Sequence, residues 1–200
     1  GSERVAIVVP AGDTVSYPTD VLARAAGVLI VRLYGEHRNG TRPGALTSPS
    51  FINRGIGIRA EVLGPNRIAA ELPLFGYLWN AAGTAKPVTF GEAQSIVRGE
   101  SGSFHRDQAT QFLTATGRDG WTVWVPDATT VASMIAAVTA RGVNLIELSA
   151  DGTRPIGLDP ASPGFSKKKN NTNMLFLYIG IGLAVVIGIV VIIVLTQIHH

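Results

Sequence analysis

The C-terminal part of the chain contains an uncharged, apolar run that limits how the whole polypeptide can fold. Residues 174–195 are 22 consecutive residues without Asp, Glu, Lys or Arg. At about 1.5 Å per residue, a helix of this length spans roughly 33 Å, enough to cross a hydrocarbon core of about 30 Å. The sequence therefore predicts a single transmembrane helix over residues 174–196, followed by a short tail at 197–200.

The positive charge of the chain is concentrated beside this run. The sequence carries 17 Lys+Arg against 14 Asp+Glu, a net charge of +3, and residues 1–166 are neutral, so that Lys167, Lys168 and Lys169 supply the whole excess. A nucleic-acid-binding domain would spread basic residues over one face, which argues against a nucleic-acid partner. Lysines at a bilayer boundary predict contact with anionic lipid headgroups, and Phe176 and Tyr178 fit an aromatic interface belt.

The same residues predict an orientation in the membrane. Lysines are retained on the cytoplasmic side of a span, and here they precede it. The apolar stretch at residues 5–9 is too short for a signal peptide. We therefore expect a tail-anchored protein with its N-terminal domain in the cytoplasm, or facing the coat in a virion membrane. Gly180, Ala184 and Gly188 lie on one helix face, which predicts helix–helix contact, including self-association.

Residues 1–158 are predicted to form one globular domain, joined to the span by a Pro/Gly/Ser-rich linker with the lysine run at 159–173. Apolar runs and alternation predict strands, and caps and glycine stops predict helices. The predicted fold is an α/β (α+β) sandwich with βαβ units and a β-hairpin. Strands are predicted at 4–9, 28–34, 121–125 and 143–148, helices at 19–26, 90–98, 105–116 and 127–141, and the hairpin at 56–63 and 67–72.

Short motifs offer no catalytic or metal site. The chain has no cysteine, which excludes disulfides, thiolate ligands and cysteine nucleophiles. His105 begins a triplet similar to part of the kinase catalytic loop, but Phe112 stands where an asparagine is expected. His37 and His105 lack a second ligand at metal-binding spacing. The sequence predicts no catalytic, cofactor or metal residues, hence no enzyme, although a site built from distant residues would leave no such motif.

One loop is a candidate for partner binding. Arg32, His37, Arg38 and Arg42 occur close together in the sequence, and arginine makes planar, bidentate contacts suited to protein interfaces. These side chains could grip an acidic partner or phosphate, and the alternative is a solvated loop whose charges are balanced within the domain.

These features together predict a membrane-anchored structural or assembly protein whose α/β domain docks other proteins at a membrane surface. Its predicted partners are membrane lipid and the other subunits of a larger assembly. A specific form of this hypothesis is a minor structural protein that links coat and membrane in a membrane-containing virus. The alternatives are an accessory subunit of a cellular membrane complex, and a membrane-tethered enzyme or ligand-binding module.

Overall fold

A computed structural model describes residues 5–150 of the chain and the backbone of residues 176–178. The strands are β1 Ala6–Pro10, β2 Val28–Arg32, β3 Ile68–Pro73, β4 Gly76–Trp79, β5 Ala85–Val88, β6 His105–Arg106, β7 Leu113–Thr116, β8 Thr122–Val125, β9 Leu145–Ser149 and β10 Phe176–Tyr178. The helices are α1 Thr19–Ala25, α2 Pro49–Leu63, α3 Phe90–Gly99 and α4 Ala128–Thr139, with a 3₁₀ turn at Pro65–Arg67.

The first sheet is mainly parallel. Its strand order is β1-β2-β3-β9-β10, in which the first four strands run parallel and β10 pairs antiparallel with β9. Helices α1 and α2 form the crossovers from β1 to β2 and from β2 to β3, which makes two βαβ units. The carboxyl ends of these four strands therefore lie at one end of the sheet.

A second sheet is inserted between β3 and β9. It is antiparallel with the order β5-β4-β8-β7-β6. Helix α3 covers one face, where its Ala93 and Val97 pack with Val88, Val123 and Val125. This small core is separate from the larger one beneath the parallel sheet.

The larger core lies between the parallel sheet and its helices. Val31, Ala70 and Ile146 from the strands belong to the same buried cluster as Ile56 of α2 and Met134 of α4. Gly55 allows α2 to approach the sheet closely. A Cβ atom at Gly55 would lie 2.7 Å from the Ala11 side chain and 2.9 Å from that of Leu33.

Side-chain caps fix where the longer helices begin. Ser48 accepts a hydrogen bond from the Phe51 amide at 3.1 Å at the start of α2. Thr89 with Glu92 and Asp127 with Thr130 form reciprocal capping boxes at the starts of α3 and α4. These caps stabilise the helix starts because they satisfy amides that have no partner within the helix.

Most predicted elements are confirmed, and three predictions are wrong. Residues 56–63 belong to α2 rather than to a hairpin, and residues 105–116 contain β6 and β7 rather than a helix. The predicted βαβ unit at 121–148 is also wrong, because β8 and β9 lie in different sheets. The broad prediction of a mixed α/β fold is confirmed, with one mainly parallel and one antiparallel sheet.

None of the helices between residues 5 and 150 has both the length and the apolar composition that a bilayer crossing requires. The predicted span at 174–196 lies outside the described residues, apart from Phe176–Tyr178, whose backbone forms β10. Lys167, Lys168 and Lys169, the linker, and the helix face of Gly180, Ala184 and Gly188 also lie outside them. The lipid contact, orientation and association inferred from these residues stay predictions.

An ion pair ties the second sheet to α4. Arg106 next to the β6–β7 turn donates from Nη1 to Asp127 Oδ1 at 3.0 Å and to the Gln111 carbonyl at 2.7 Å. Hydrogen bonding from the Arg106 guanidinium, assisted by Thr130, lowers the pKa of Asp127 to about 2 from 3.8. Because the folded-state pKa is lowered, this stabilisation is present above about pH 4 and is lost as the pH falls towards about 2.

We expect Asp127→Asn to lower the free energy of unfolding by about 2 kcal/mol at pH 7, since asparagine keeps the cap but not the charge. The difference from wild type should shrink between about pH 4 and pH 2 in urea unfolding curves. Asp20→Asn is the matched control, because Asp20 pairs with Arg24 at 4.0 Å on the exposed side of α1. An equal loss of stability in both variants would contradict the assignment.

Candidate functional site

Five polar side chains meet at the carboxyl ends of the parallel strands. Arg32, Glu71 and Glu147 occupy one row of the sheet, because Arg32 pairs in register with Glu71 and Glu71 with Glu147. Tyr34 follows β2, and Ser149 ends β9. We call Arg32, Tyr34, Glu71, Glu147 and Ser149 the strand-end cluster.

The sheet's pleat directs this row away from the helices. Val31, Ala70 and Ile146 directly precede Arg32, Glu71 and Glu147 in the sequence and belong to the helix-covered core. Successive side chains in a strand point to opposite faces, so the charged row lies on the other face.

Glu71 is anchored by two hydrogen bonds within the cluster. Its Oε2 accepts a hydrogen bond from Arg32 Nε at 3.0 Å, and its Oε1 accepts one from the Tyr34 hydroxyl at 2.6 Å. Glu71 is 1% exposed and Arg32 4%. A buried charge is tolerated when it is paired and hydrogen-bonded, and Glu71 meets both conditions.

Tyr34 is held in its protonated form. Burial, followed by the hydrogen bond to Glu71 and the negative charge there, raises the pKa of Tyr34 well above its usual value, while Ser149 and Arg32 oppose the shift. The Arg32 guanidinium also lies 5.4 Å from the centre of the Tyr34 ring. At physiological pH this site therefore presents a neutral phenol beside a fixed carboxylate.

The remaining solvent access of the cluster is at its outer members. Tyr34 and Ser149 are 8% exposed and Glu147 is 6% exposed, against 1% for Glu71. A ligand at the strand ends would meet Tyr34, Glu147 and Ser149 before the more deeply buried Glu71. The arrangement can therefore offer hydroxyl groups and one carboxyl group to a polar ligand, with the buried ion pair behind them.

Aromatic rings connect the cluster to the antiparallel sheet. Tyr34 packs edge-on against Phe75, Phe75 against Tyr77, and Tyr77 against Trp79, with ring centres 5.4, 5.7 and 5.6 Å apart. Tyr77 also pairs across the strands with Trp124. These contacts fix the position of the second sheet relative to the strand ends.

A buried arginine orders the loop after β1 at the same end of the sheet. Arg59 of α2 is fully buried and donates to the carbonyls of Pro10, Asp13 and Tyr17 and to the Thr19 hydroxyl. It has no carboxylate at hydrogen-bond distance among the described residues, so carbonyl dipoles hold it. Burial lowers the pKa of Arg59, and the nearby Asp13 charge partly opposes this.

The predicted partner-binding loop does not form one group in the structure. Arg32 is buried in the strand-end cluster, whereas Arg38 and Arg42 are exposed on the loop that follows β2. His37 Nδ1 lies 3.1 Å from the Arg42 carbonyl. Trp79 Nε1 donates to the Thr41 carbonyl at 3.2 Å, so this loop bridges the two sheets. Binding of a partner by these residues stays a prediction.

Sequence reasoning missed Glu71, Glu147 and Ser149. Each glutamate interrupts an otherwise apolar strand near its carboxyl end, in the runs IAAELP and LIELS. A charged residue at that position is a usable signal, because it must be paired if the strand is buried. Within the described part of the chain, no group of three or more His, Asp or Glu residues could hold a metal ion.

Solved structures share this fold. The chain is similar to a protein described as a sporulation-specific glycosylase from Bacillus subtilis, with 18% identity over 72% of this chain and 52% of that one, and a TM-score of 0.64. It is similar to a chitinase from Chromobacterium violaceum, with 22% identity over 76% and 52%, and a TM-score of 0.66. A spore cortex-lytic enzyme from Bacillus cereus gives 16% identity over 76% and 39%, and a TM-score of 0.64.

The described chain therefore has the fold of part of a glycosylase- or chitinase-like protein. It spans about half the length of the first two structures and about two fifths of the third. The sequence matches no known protein-family profile and no curated protein sequence.

This likeness overturns the predicted function. The hypothesis of a non-enzymatic structural protein that links coat and membrane, or serves assembly at a membrane, is wrong, because the solved proteins with this fold are hydrolytic enzymes. Short motifs do not reveal the strand-end cluster, because its residues come from strands far apart in the sequence.

Proposed function

We propose that the chain is part of a glycoside hydrolase-like enzyme that acts on a polymer of N-acetylated amino sugars. The observation that carries this proposal is the convergence of Tyr34, Glu147 and Ser149 at the carboxyl ends of parallel strands, in a fold shared with chitinases and a cortex-lytic enzyme. Folds with parallel strands and crossover helices bind their ligands at this end of the sheet.

We assign the two glutamates different roles. Most glycoside hydrolases use a pair of carboxyl groups, one of which protonates the oxygen of the leaving sugar. Both oxygens of Glu71 accept hydrogen bonds from Arg32 and Tyr34, so Glu71 is a fixed anion that positions its neighbours. Glu147, which is more exposed, is the proposed acid that faces the glycosidic bond. Among the described residues, the strand-end cluster thus supplies one of the two carboxyl groups.

In this proposal, the members of the cluster that carry hydroxyl groups bind the sugar. Tyr34 and Ser149 have hydroxyl groups at the strand ends, and hydroxyl groups suit the hydroxyl and acetamido substituents of amino sugars. The aromatic contacts from Tyr34 to Trp79 stabilise this arrangement, because they hold the second sheet beside the strand ends.

Binding to insoluble polysaccharide tests the proposal. The full chain, kept in mild detergent because of its apolar segment, should pellet with chitin and with bacterial peptidoglycan but not with cellulose. Combining Tyr34→Phe with Ser149→Ala should weaken pelleting about tenfold or more, since each lost hydrogen bond costs about 0.5–1.5 kcal/mol.

Arg24→Ala provides the control, because Arg24 is exposed on α1 and contacts none of the cluster. This variant should pellet like the wild type. A chain that pellets with neither polymer, or that pellets equally with cellulose, would overturn the proposed substrate class.

A further inference from the structure

The guanidinium group of Arg32 is only partly used by the protein. Its Nε donates to Glu71 Oε2 at 3.0 Å, and its central carbon lies 5.4 Å from the centre of the Tyr34 ring. These contacts occupy the Nε edge and one face of the group. An arginine side chain has five N–H donors, and the hydrogen bonds of Arg32 within the described part of the chain use one of them. The edge formed by Nη1 and Nη2 is left for another acceptor.

Arg32 differs in this respect from the other arginines with restricted solvent access. Within residues 5–150 these are Arg59, Arg67 and Arg106, and each donates from its Nη atoms to oxygens of the protein. Arg32 is 4% exposed, yet neither of its Nη atoms is among the fully shielded polar atoms that lack a partner in this range. Both Nη atoms therefore keep contact with solvent at the strand ends, where a ligand can reach them.

We propose that Nη1 and Nη2 of Arg32 bind a carboxylate of the substrate, so that the enzyme prefers an amino-sugar polymer of the peptidoglycan type to neutral chitin. This inference rests on the proposed function and narrows its substrate class. The parallel N–H groups of a guanidinium match the two oxygens of a carboxylate. Peptidoglycan offers such a group on the lactyl substituent of its muramic acid or on the attached peptide, and chitin offers none.

The neighbouring charges allow an anion to bind at this edge. Glu71 neutralises only one positive charge through Nε, and it holds the guanidinium in place, so Glu71 is a positioning residue for the carboxylate. A group that is already fixed loses little conformational freedom when the ligand binds. Glu71 lies between Arg32 and Glu147 in the row, which separates the strands of Arg32 and Glu147 by about 10 Å. The bound carboxylate is therefore not forced against the proposed acid.

Chemically altered ligands test the inference on the wild-type chain, kept in mild detergent at neutral pH. The probes are neutral chitotetraose, a tetrasaccharide of alternating N-acetylglucosamine and N-acetylmuramic acid with free lactyl carboxylates, and the same tetrasaccharide with these groups converted to methylamides. Calorimetry should show that the free acid binds about tenfold to a hundredfold more tightly than the methylamide, the range expected for a hydrogen-bonded charge pair.

A fourth probe tells the two sources of the carboxylate apart. Amidation with L-alanine moves the carboxylate from the lactyl group to the first residue of the peptide. Tight binding of the lactyl acid or of the alanyl form supports the inference and shows which carboxylate is bound. If neither binds more tightly than the methylamide, the inference is overturned.

The variant Arg32→Lys connects this preference to the guanidinium. The single ammonium group of lysine can stay paired with Glu71 but provides no second edge, so the preference for the acid should largely disappear while the methylamide still binds. Arg38→Lys is the matched control, because Arg38 is exposed on the loop after β2, and it should keep the preference. Circular dichroism shows whether Arg32→Lys is folded, and if it is not, the ligand comparison on the wild type decides.

Two kinds of failure are distinguishable. If chitotetraose binds as tightly as the charged tetrasaccharides, or if folded Arg32→Lys keeps the full preference for the acid, the inference is wrong and the proposed function stands. If none of the tetrasaccharides binds, the proposed function itself is wrong.

Discussion

Glu147→Gln should reduce the release of reducing sugar ends from chitin or peptidoglycan by about 10²- to 10⁴-fold, the usual contribution of a positioned acid. Glutamine keeps the size and the hydrogen-bonding capacity of the side chain but carries no exchangeable acidic proton. The variant should therefore still bind the polymer. A colorimetric reducing-end assay on the protein as it is produced, combined with pelleting, separates loss of catalysis from loss of binding.

Glu61→Gln is the matched control, since Glu61 is exposed on α2 away from the strand ends. It should leave the hydrolysis rate unchanged. If Glu147→Gln retains the wild-type rate, Glu147 is not the acid, and if binding falls in parallel with the rate, it is a sugar-binding residue instead. Both outcomes would require a new assignment for the carboxyl group.

Arg32→Met should lower the free energy of unfolding by about 3–5 kcal/mol, the effect expected when one partner of a buried ion pair is removed. The loss follows from the burial of Glu71, which would keep its charge with only the neutral Tyr34 hydroxyl as a donor. Urea unfolding at neutral pH, followed by circular dichroism, measures the change.

Two further variants show whether the uncompensated charge is the cause. Adding Glu71→Gln to Arg32→Met should restore at least half of the lost stability, because the buried charge is then gone. Arg24→Met, on the exposed side of α1, should change stability by less than about 0.5 kcal/mol. Equal losses in Arg32→Met and Arg24→Met would show that the buried pair is not needed for stability.

The elements that the sequence predicted correctly have strong local signals. The apolar strands β1 and β2 lie next to clear turns, and Asp127 and Thr89 cap helices in recognisable boxes. The wrong hairpin prediction at residues 56–63 also has a local cause. Gly55, Ile56, Gly57 and Ile58 alternate like a strand, although Ile52, Ile56 and Arg59 share the buried face of one helix.

The helix prediction for residues 105–116 was wrong for a different reason. Gln111 adopts a left-handed conformation at φ 63°, and Asp107 accepts a hydrogen bond from the Thr110 amide, so a tight turn interrupts the apparent helix. Strands β8 and β9 lie in different sheets because of contacts between residues far apart in the sequence. The hydrophobic periodicity of a single segment carries no information about such contacts.

The strand-end cluster could not be predicted from a sequence motif, because its residues come together only through the pairing register of the strands. Arg32 and Glu71 are 39 residues apart, and their side chains meet only when β2 pairs with β3 at one particular offset. A shift of one residue would turn Glu71 into the helix-covered core. The sequence showed three unusual charges in apolar strands, but only the pairing brings them into one row.

Arg59 attaches the loop after β1 through hydrogen bonds to carbonyl groups rather than through an ion pair. Ion pairs weaken as salt screens them, over a distance of about 8 Å at physiological ionic strength. The fully buried guanidinium is instead bound by the carbonyls of Pro10, Asp13 and Tyr17, which carry no net charge and do not titrate. The contacts that Arg59 makes to the loop at the carboxyl end of β1 should therefore persist in concentrated salt and in mild acid, conditions that weaken attachments made through carboxylates.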